Sequence, residues 1–73
     1  MNTIEQQIIN TLGQSFGREP ELDEPLSALG IDSLGMAELT VELEKQFGIH
    51  VDEYVLDVET ARDLVIYVEE RQK

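Results

Sequence analysis

The chain has 73 residues, 16 acidic against five basic and no cysteine, for a formal net charge of −11. That length supports a single domain, residues 1–73, with an efficiently packed core and no room for a large enclosed cavity. The charge repels nucleic acid and anionic lipid, and the lack of cysteine excludes disulfides and thiolate metal sites.

Neither the start "MNTIEQQIIN" nor the later apolar run "LVIYV" has the form of a secretion signal or a membrane span, so a soluble, cytoplasmic monomer is expected. The excess of acids also costs compact-state stability by self-repulsion, and attraction of basic partner surfaces is a reason to keep it.

Thr3 stands three residues before Gln6 in the form of a capping box, and Ile4, Ile8, Ile9, Leu12 and Phe16 recur at helical spacing. These predict a first helix over about 3–16. Gly17 suits the left-handed position that ends it, whereas Gly13 inside it costs roughly 1 kcal/mol relative to alanine. From Gly17 to Asp32 the periodicity breaks, and Pro20, Pro25 and Gly30 punctuate a stretch carrying Glu19, Glu21, Asp23 and Glu24. Leu22, Leu26, Leu29 and Ile31 are spaced through it as anchors. A long acidic loop packed against the helices, with one helical turn near Pro25, is expected.

Asp32 or Ser33 caps a second helix that runs to about Phe47, where Gly48 stops it. A short helical piece is expected over "DEYVLD", 52–57. Thr60 then caps a last helix that lines one face with Ala61, Leu64, Val65 and Val68. No segment alternates as a strand does. The fold class is therefore all-α: a small four-helix bundle, three main helices plus one short helix, with a long acidic loop between helices one and two. Ile8, Ile9 and Leu12, with Leu39, Leu43, Phe47, Val58 and the four residues of the last helix, are the expected interior.

At 100° per residue, Met36, Leu39, Leu43 and Phe47 fall on one side of helix two while Leu34, Ala37 and Val41 fall on another. One stripe suffices for a core. The second, bordered by Glu38 and Glu44 and extended by Val51, needs a separate explanation, one being burial under the loop or the last helix.

Ser33 is the residue around which chemistry could be built. A hydrolase nucleophile would want a glycine two residues earlier in a strand-to-helix elbow and a nearby histidine. Ile31 holds that position, and the only histidine, His50, lies beyond the far end of helix two. Self-contained catalysis is thus not expected, and His50 reads as an ordinary loop residue. The stretch "DEPLSALGIDSL" has the length of a calcium loop but places Pro25, Ala28 and Leu34 where ligands and a glycine are needed, and no zinc spacing or phosphate loop is present.

The words around the serine, "LGIDSLGMAEL", closely resemble the phosphopantetheine attachment motif of acyl carrier proteins, with Asp32-Ser33-Leu34 matching its Asp-Ser-Leu core and Glu38-Leu39 its usual Glu-Leu. The resemblance runs over essentially the whole chain, through "LEKQFG" near the end of helix two to a Thr-capped last helix with Tyr67. It implies that Ser33 carries a covalent 4′-phosphopantetheine arm, installed from coenzyme A by a separate phosphopantetheinyl transferase, and that Asp32 supports magnesium during that transfer. It also implies a carrier, not an enzyme, holding acyl groups as thioesters. Acyl-transfer or synthase enzymes with basic docking surfaces would meet Leu34, Ala37, Glu38, Val41, Glu44 and Val51. A phosphodiester on the first residue of a helix meets unpaired N–H groups and the positive end of the macrodipole, which suits the placement.

Gly35 and Lys45 stand where typical fatty-acid carriers have acids, and the segment after Val51 is compressed, so a specialised lipid or polyketide pathway fits as well as fatty-acid synthesis. A peptidyl or aminoacyl carrier of a nonribosomal pathway is the alternative within the class, although Gly30-Ile31 departs from the Gly-Gly pattern of that group. A non-carrier acidic helical interaction domain, with Ser33 only a cap, is the alternative outside it.

Overall fold

The computed structural model describes residues 3–72. Helix α1 spans Ile4–Phe16, and Thr3 Oγ1 accepts the Gln6 N–H at 3.1 Å. The expected capping box is formed on this side only, because the Gln6 side chain turns along the helix and donates to Asn10 Oδ1 at 3.0 Å. Gly17 closes the helix at φ 94°, its N–H donating to the Gly13 carbonyl at 3.0 Å. Gly13 has a reason that periodicity does not show: a Cβ there would lie 2.6 Å from Glu19 Cγ, where the chain turns back over α1.

The segment between α1 and α2 is anchored by buried Pro20 and Leu26 and half-buried Leu22, Leu29 and Ile31, with a 3₁₀ segment at Leu26–Leu29. Backbone bonds tie it to the start of the last helix. Leu26 N–H donates to Glu59 O at 2.8 Å, Arg62 N–H donates to Leu22 O at 2.9 Å, and Pro25 and Thr60 form an isolated antiparallel bridge. Two cations answer its acids: Arg62 pairs with Asp23 at 2.9 Å, and Arg18 pairs with Glu24, whose carboxyl it holds below the usual range chiefly by hydrogen bonding.

Helix α2 spans Ser33–Phe47 and ends at Gly48, φ 65°, a left-handed geometry that favours glycine. Within 52–57, where the sequence predicts a short helical piece, Glu53–Asp57 form a 3₁₀ segment, and Asp52 caps it by accepting the Tyr54 N–H at 3.1 Å. It is too short to carry a run of α-type bonds. Helix α3 spans Ala61–Arg71, and Thr60 and Asp63 form a reciprocal capping box at its start. The described residues therefore hold three α-helices and two 3₁₀ segments, with no strand.

Helices α1 and α3 pack together, and α2 adds its inner face to the same core. Ile8, Leu12, Leu39, Leu43, Ala61, Leu64, Val65 and Val68 are buried as the periodicity predicts. Ile9, Phe47 and Val58 sit at its edge, half-buried. Leu26, Val55 and Tyr67 complete it. Burial of each large aliphatic side chain stabilises the fold by roughly 1.5–3 kcal/mol before the entropy of ordering is subtracted.

Candidate functional site

Ser33 is exposed on the first residue of α2. It is not the cap. Asp32 is, its Oδ1 accepting the Gly35 N–H at 2.8 Å while its carbonyl accepts the Met36 N–H at 2.8 Å. The N–H groups of Ser33 and Leu34 have no partner among the described residues, so the helix end leaves two donors beside a free hydroxyl. With the macrodipole, those donors favour an anion attached at Ser33.

Beside Ser33 opens a cleft of about 660 Å³. Its α2 wall includes Met36, Ala37 and Thr40; Val51, Val55 and Leu56 from the 3₁₀ side face them. The Thr40 hydroxyl donates to the Ala37 carbonyl at 2.7 Å, which removes one donor from an otherwise mostly apolar wall. An exposed hydroxyl at a helix start, adjoining an apolar cleft, fits a flexible phosphodiester-linked arm.

The second apolar stripe of α2 is in solvent: Leu34 is 68% exposed and Val41 48%, with Ala37 and Glu38 also exposed. Burial under the loop or the last helix does not occur. Glu44 and Val51 are placed differently from these four. Glu44 Oε2 accepts the Val51 N–H at 3.0 Å and lies 3.8 Å from His50 Nδ1, so it straps the chain after Gly48 back onto α2. Val51 is half-buried and lines the cleft. His50 follows the opposite end of the helix from Ser33, across roughly 22 Å of α2. Among the described residues no three His, Asp or Glu side chains converge as a metal site.

Sequence reasoning passed over Asp52 and Arg71. The Tyr67 hydroxyl donates to Asp52 Oδ1 at 2.7 Å and accepts the Asp52 N–H at 2.9 Å, while Arg71 Nη2 donates to Asp52 Oδ2 at 3.0 Å and the guanidinium lies over the Tyr67 ring at 3.8 Å. The Tyr67 hydrogen bond and then Arg71 hold the Asp52 carboxyl below its ordinary range, and burial followed by that same bond pushes the Tyr67 phenol up. The network pins the 3₁₀ wall of the cleft to the end of α3. Its one local signal is Tyr67 and Arg71 four apart on a helix.

The two departures from an acidic α2 also find reasons. A Cβ on Gly35 would lie 3.2 Å from Phe16 Cε1, so a larger residue would press the Phe16 ring. Lys45 lies in the last turn of α2, where a cation meets the negative end of the macrodipole.

Residues 6–68 match the family model described as a phosphopantetheine attachment site. An acyl carrier protein of Rickettsia bellii (strain RML369-C) is 32% identical over 99% of this chain and 90% of its own length. One from Thermotoga maritima is 30% identical over 93% of this chain and 85% of its own, and an acyl carrier protein homolog of Mycoplasma genitalium is 41% identical over 68% and 61%.

Proposed function

The chain belongs to the phosphopantetheine-attachment family of acyl carrier proteins, and from that premise we propose that Ser33 is the residue bearing its covalent 4′-phosphopantetheine. The observation that carries the assignment is an exposed hydroxyl on the first residue of α2, with capping delegated to Asp32 and two N–H groups left at the helix end. When bound, the arm supplies a terminal thiol that holds an acyl group as a thioester. Asp32, adjoining that hydroxyl, is positioned to present a carboxylate to a magnesium ion that also meets the incoming phosphate. The protein itself presents cargo and leaves the chemistry to other enzymes.

On this reading residues 1–73 act as one domain in which Glu53–Asp57 is the short fourth helix and the acid-bearing segment before Ser33 is its long loop. A phosphopantetheinyl transferase and acyl-transfer or synthase enzymes dock on Leu34, Ala37 and Val41, with basic side chains reaching Glu38. Glu44 and Val51 act behind that surface by fixing the cleft wall. The names of the relatives favour acyl cargo over aminoacyl cargo, in fatty-acid, specialised lipid or polyketide synthesis.

Intact mass after incubation with coenzyme A, magnesium and a broad-specificity transferase tests the assignment. The chain should gain one arm and Ser33→Ala none. Ser15 and Ser27 are also exposed, so exposure alone does not select Ser33. An arm mapped to either serine, or no gain at all, overturns the proposal.

A further inference from the structure

Leu56 is an apolar side chain that core packing does not explain. It is 68% exposed, on a 3₁₀ segment whose core contribution comes from Val55. Its surroundings supply a reason. A second cleft, of about 380 Å³, lies next to the first, and Ile31, Met36 and Leu56 line both. Ser33 opens onto the first cleft only; Pro25, Leu26 and Val58 belong to the second only. The two hollows are thus neighbours separated by three apolar side chains, and the second runs toward the loop that is bonded to the start of α3.

The three dividers differ in stiffness. Ile31 is β-branched and largely fixed at its first side-chain torsion, whereas Met36 is unbranched, with three rotatable bonds and a polarizable thioether that tolerates repacking. Met36 is half-buried, so it has both packed neighbours and room to move. We propose that Met36 is the specificity-determining residue for acyl-chain length: it lines both hollows, and when it swings aside a longer chain passes from the cleft beside Ser33 into the hollow bordered by Leu26 and Val58. The inference rests on Ser33 bearing the arm, because the occupant is the apolar tail of an acyl group tethered there. The mostly apolar walls of both hollows suit a hydrocarbon chain, and each methylene taken from water multiplies the sheltered-to-free ratio roughly fourfold.

The test loads the full chain with butanoyl, octanoyl, dodecanoyl and tetradecanoyl arms from the corresponding acyl-coenzymes A, with intact mass confirming each product. Each protein's melting temperature is compared with that of its own unacylated, arm-bearing form. In the natural sequence the gain should rise with chain length and then level off. Met36→Ala should extend the rise to longer chains, and Met36→Phe should end it at shorter ones. Because each variant is its own reference, a general loss of stability does not hide the effect. Dodecanoyl and longer chains on Met36→Ala should also shift the amide resonances of Leu26 and Val58, which the butanoyl chain should leave in place. Ile66→Ala, an exposed α3 position outside both clefts, should keep the natural length dependence. The same length dependence in all three Met36 forms, or no gain at any length, overturns the role of Met36. Failure to gain an arm at all overturns the Ser33 assignment instead.

Discussion

Asp32 caps α2 and is the proposed magnesium carboxylate of arm transfer, and two substitutions separate the cap from the charge. Its Oδ1 accepts the Gly35 N–H at 2.8 Å, and its charge sits at the positive end of a helix of 15 residues. Asp32→Ala removes both, and loss of a cap of this kind costs about 1 kcal/mol. In a domain of this size that lowers the melting temperature by roughly 4–8 °C. Asp32→Asn keeps an oxygen able to accept the same N–H and loses only the charge, worth roughly 0.3–1 kcal/mol at low salt and less as salt screens it. It should therefore melt close to the natural protein at moderate salt. If the carboxylate holds magnesium during arm transfer, both variants should load slower by roughly tenfold or more, although only one of them is destabilised. Calorimetry with timed intact-mass measurements reads both quantities. Asn melting as low as Ala would refute the cap geometry, and Asn loading at the natural rate would remove the carboxylate from the transfer step.

Two further outcomes follow from charges elsewhere. Asp52 and Glu24 are held below the ordinary carboxylate range by Tyr67 with Arg71 and by Arg18, so their contribution to stability is complete above that range and disappears as pH falls through the depressed folded-state values. Melting temperature should drop on acidification from roughly pH 5 to pH 3, and Tyr67→Phe should flatten part of that fall; a Tyr67→Phe profile parallel to the natural one would show that the network does not set it. Glu38→Lys and Val41→Glu change exposed groups and should leave stability within roughly 0.5 kcal/mol. Both should slow association with the transferase, with the salt dependence weakened in Glu38→Lys, and unchanged stopped-flow rates in both would exclude α2 as the recognition surface.

What could be read from sequence was local. Thr3, Gly17, Asp32, Gly48 and Thr60 mark helix ends because cap chemistry acts within about four residues, and Leu39, Leu43, Leu64 and Val68 declare themselves by period. The place of Ser33 at the start of α2 was legible for the same reason, since the cap that fixes it is its neighbour in sequence. What escaped was set by distant partners. Asp52 looks like one acid among sixteen until Tyr67 and Arg71, 15 and 19 residues away, converge on it. Glu44 resembles its exposed neighbours, yet its carboxylate is engaged by the Val51 N–H. Gly35 reads as a missing acid until Phe16 of another helix is seen against it.

Helix α2 makes the functional consequence of periodicity concrete. With Ser33 taken as zero and about 100° per residue, Leu39 and Leu43 fall near 240° and 280°, and both are buried. Ser33, Ala37 and Thr40 fall within about 40° of zero, the cleft side, while Val41 and Leu34 lie near 80° and 100° in solvent, with Glu38 and Glu42 beyond them at about 140° and 180°. Core, cleft and open face are thus consecutive sectors of one helix, which is why two apolar stripes coexist without either being misplaced. Met36, near 300°, falls on the border between core and cleft, the one sector from which a side chain can be packed and still face the hollow beside Ser33. One residue inserted after Leu34 would turn every later position by about 100°, moving Leu39 out of the core sector to about 340° and bringing Glu38 and Glu42 to about 240° and 280° in its place, while Ser33 stayed where it is. Ser33 would then begin a helix that turns two carboxylates toward the core, so the spacing from Ser33 to Leu43 is what lets one helix both start at the serine and pack.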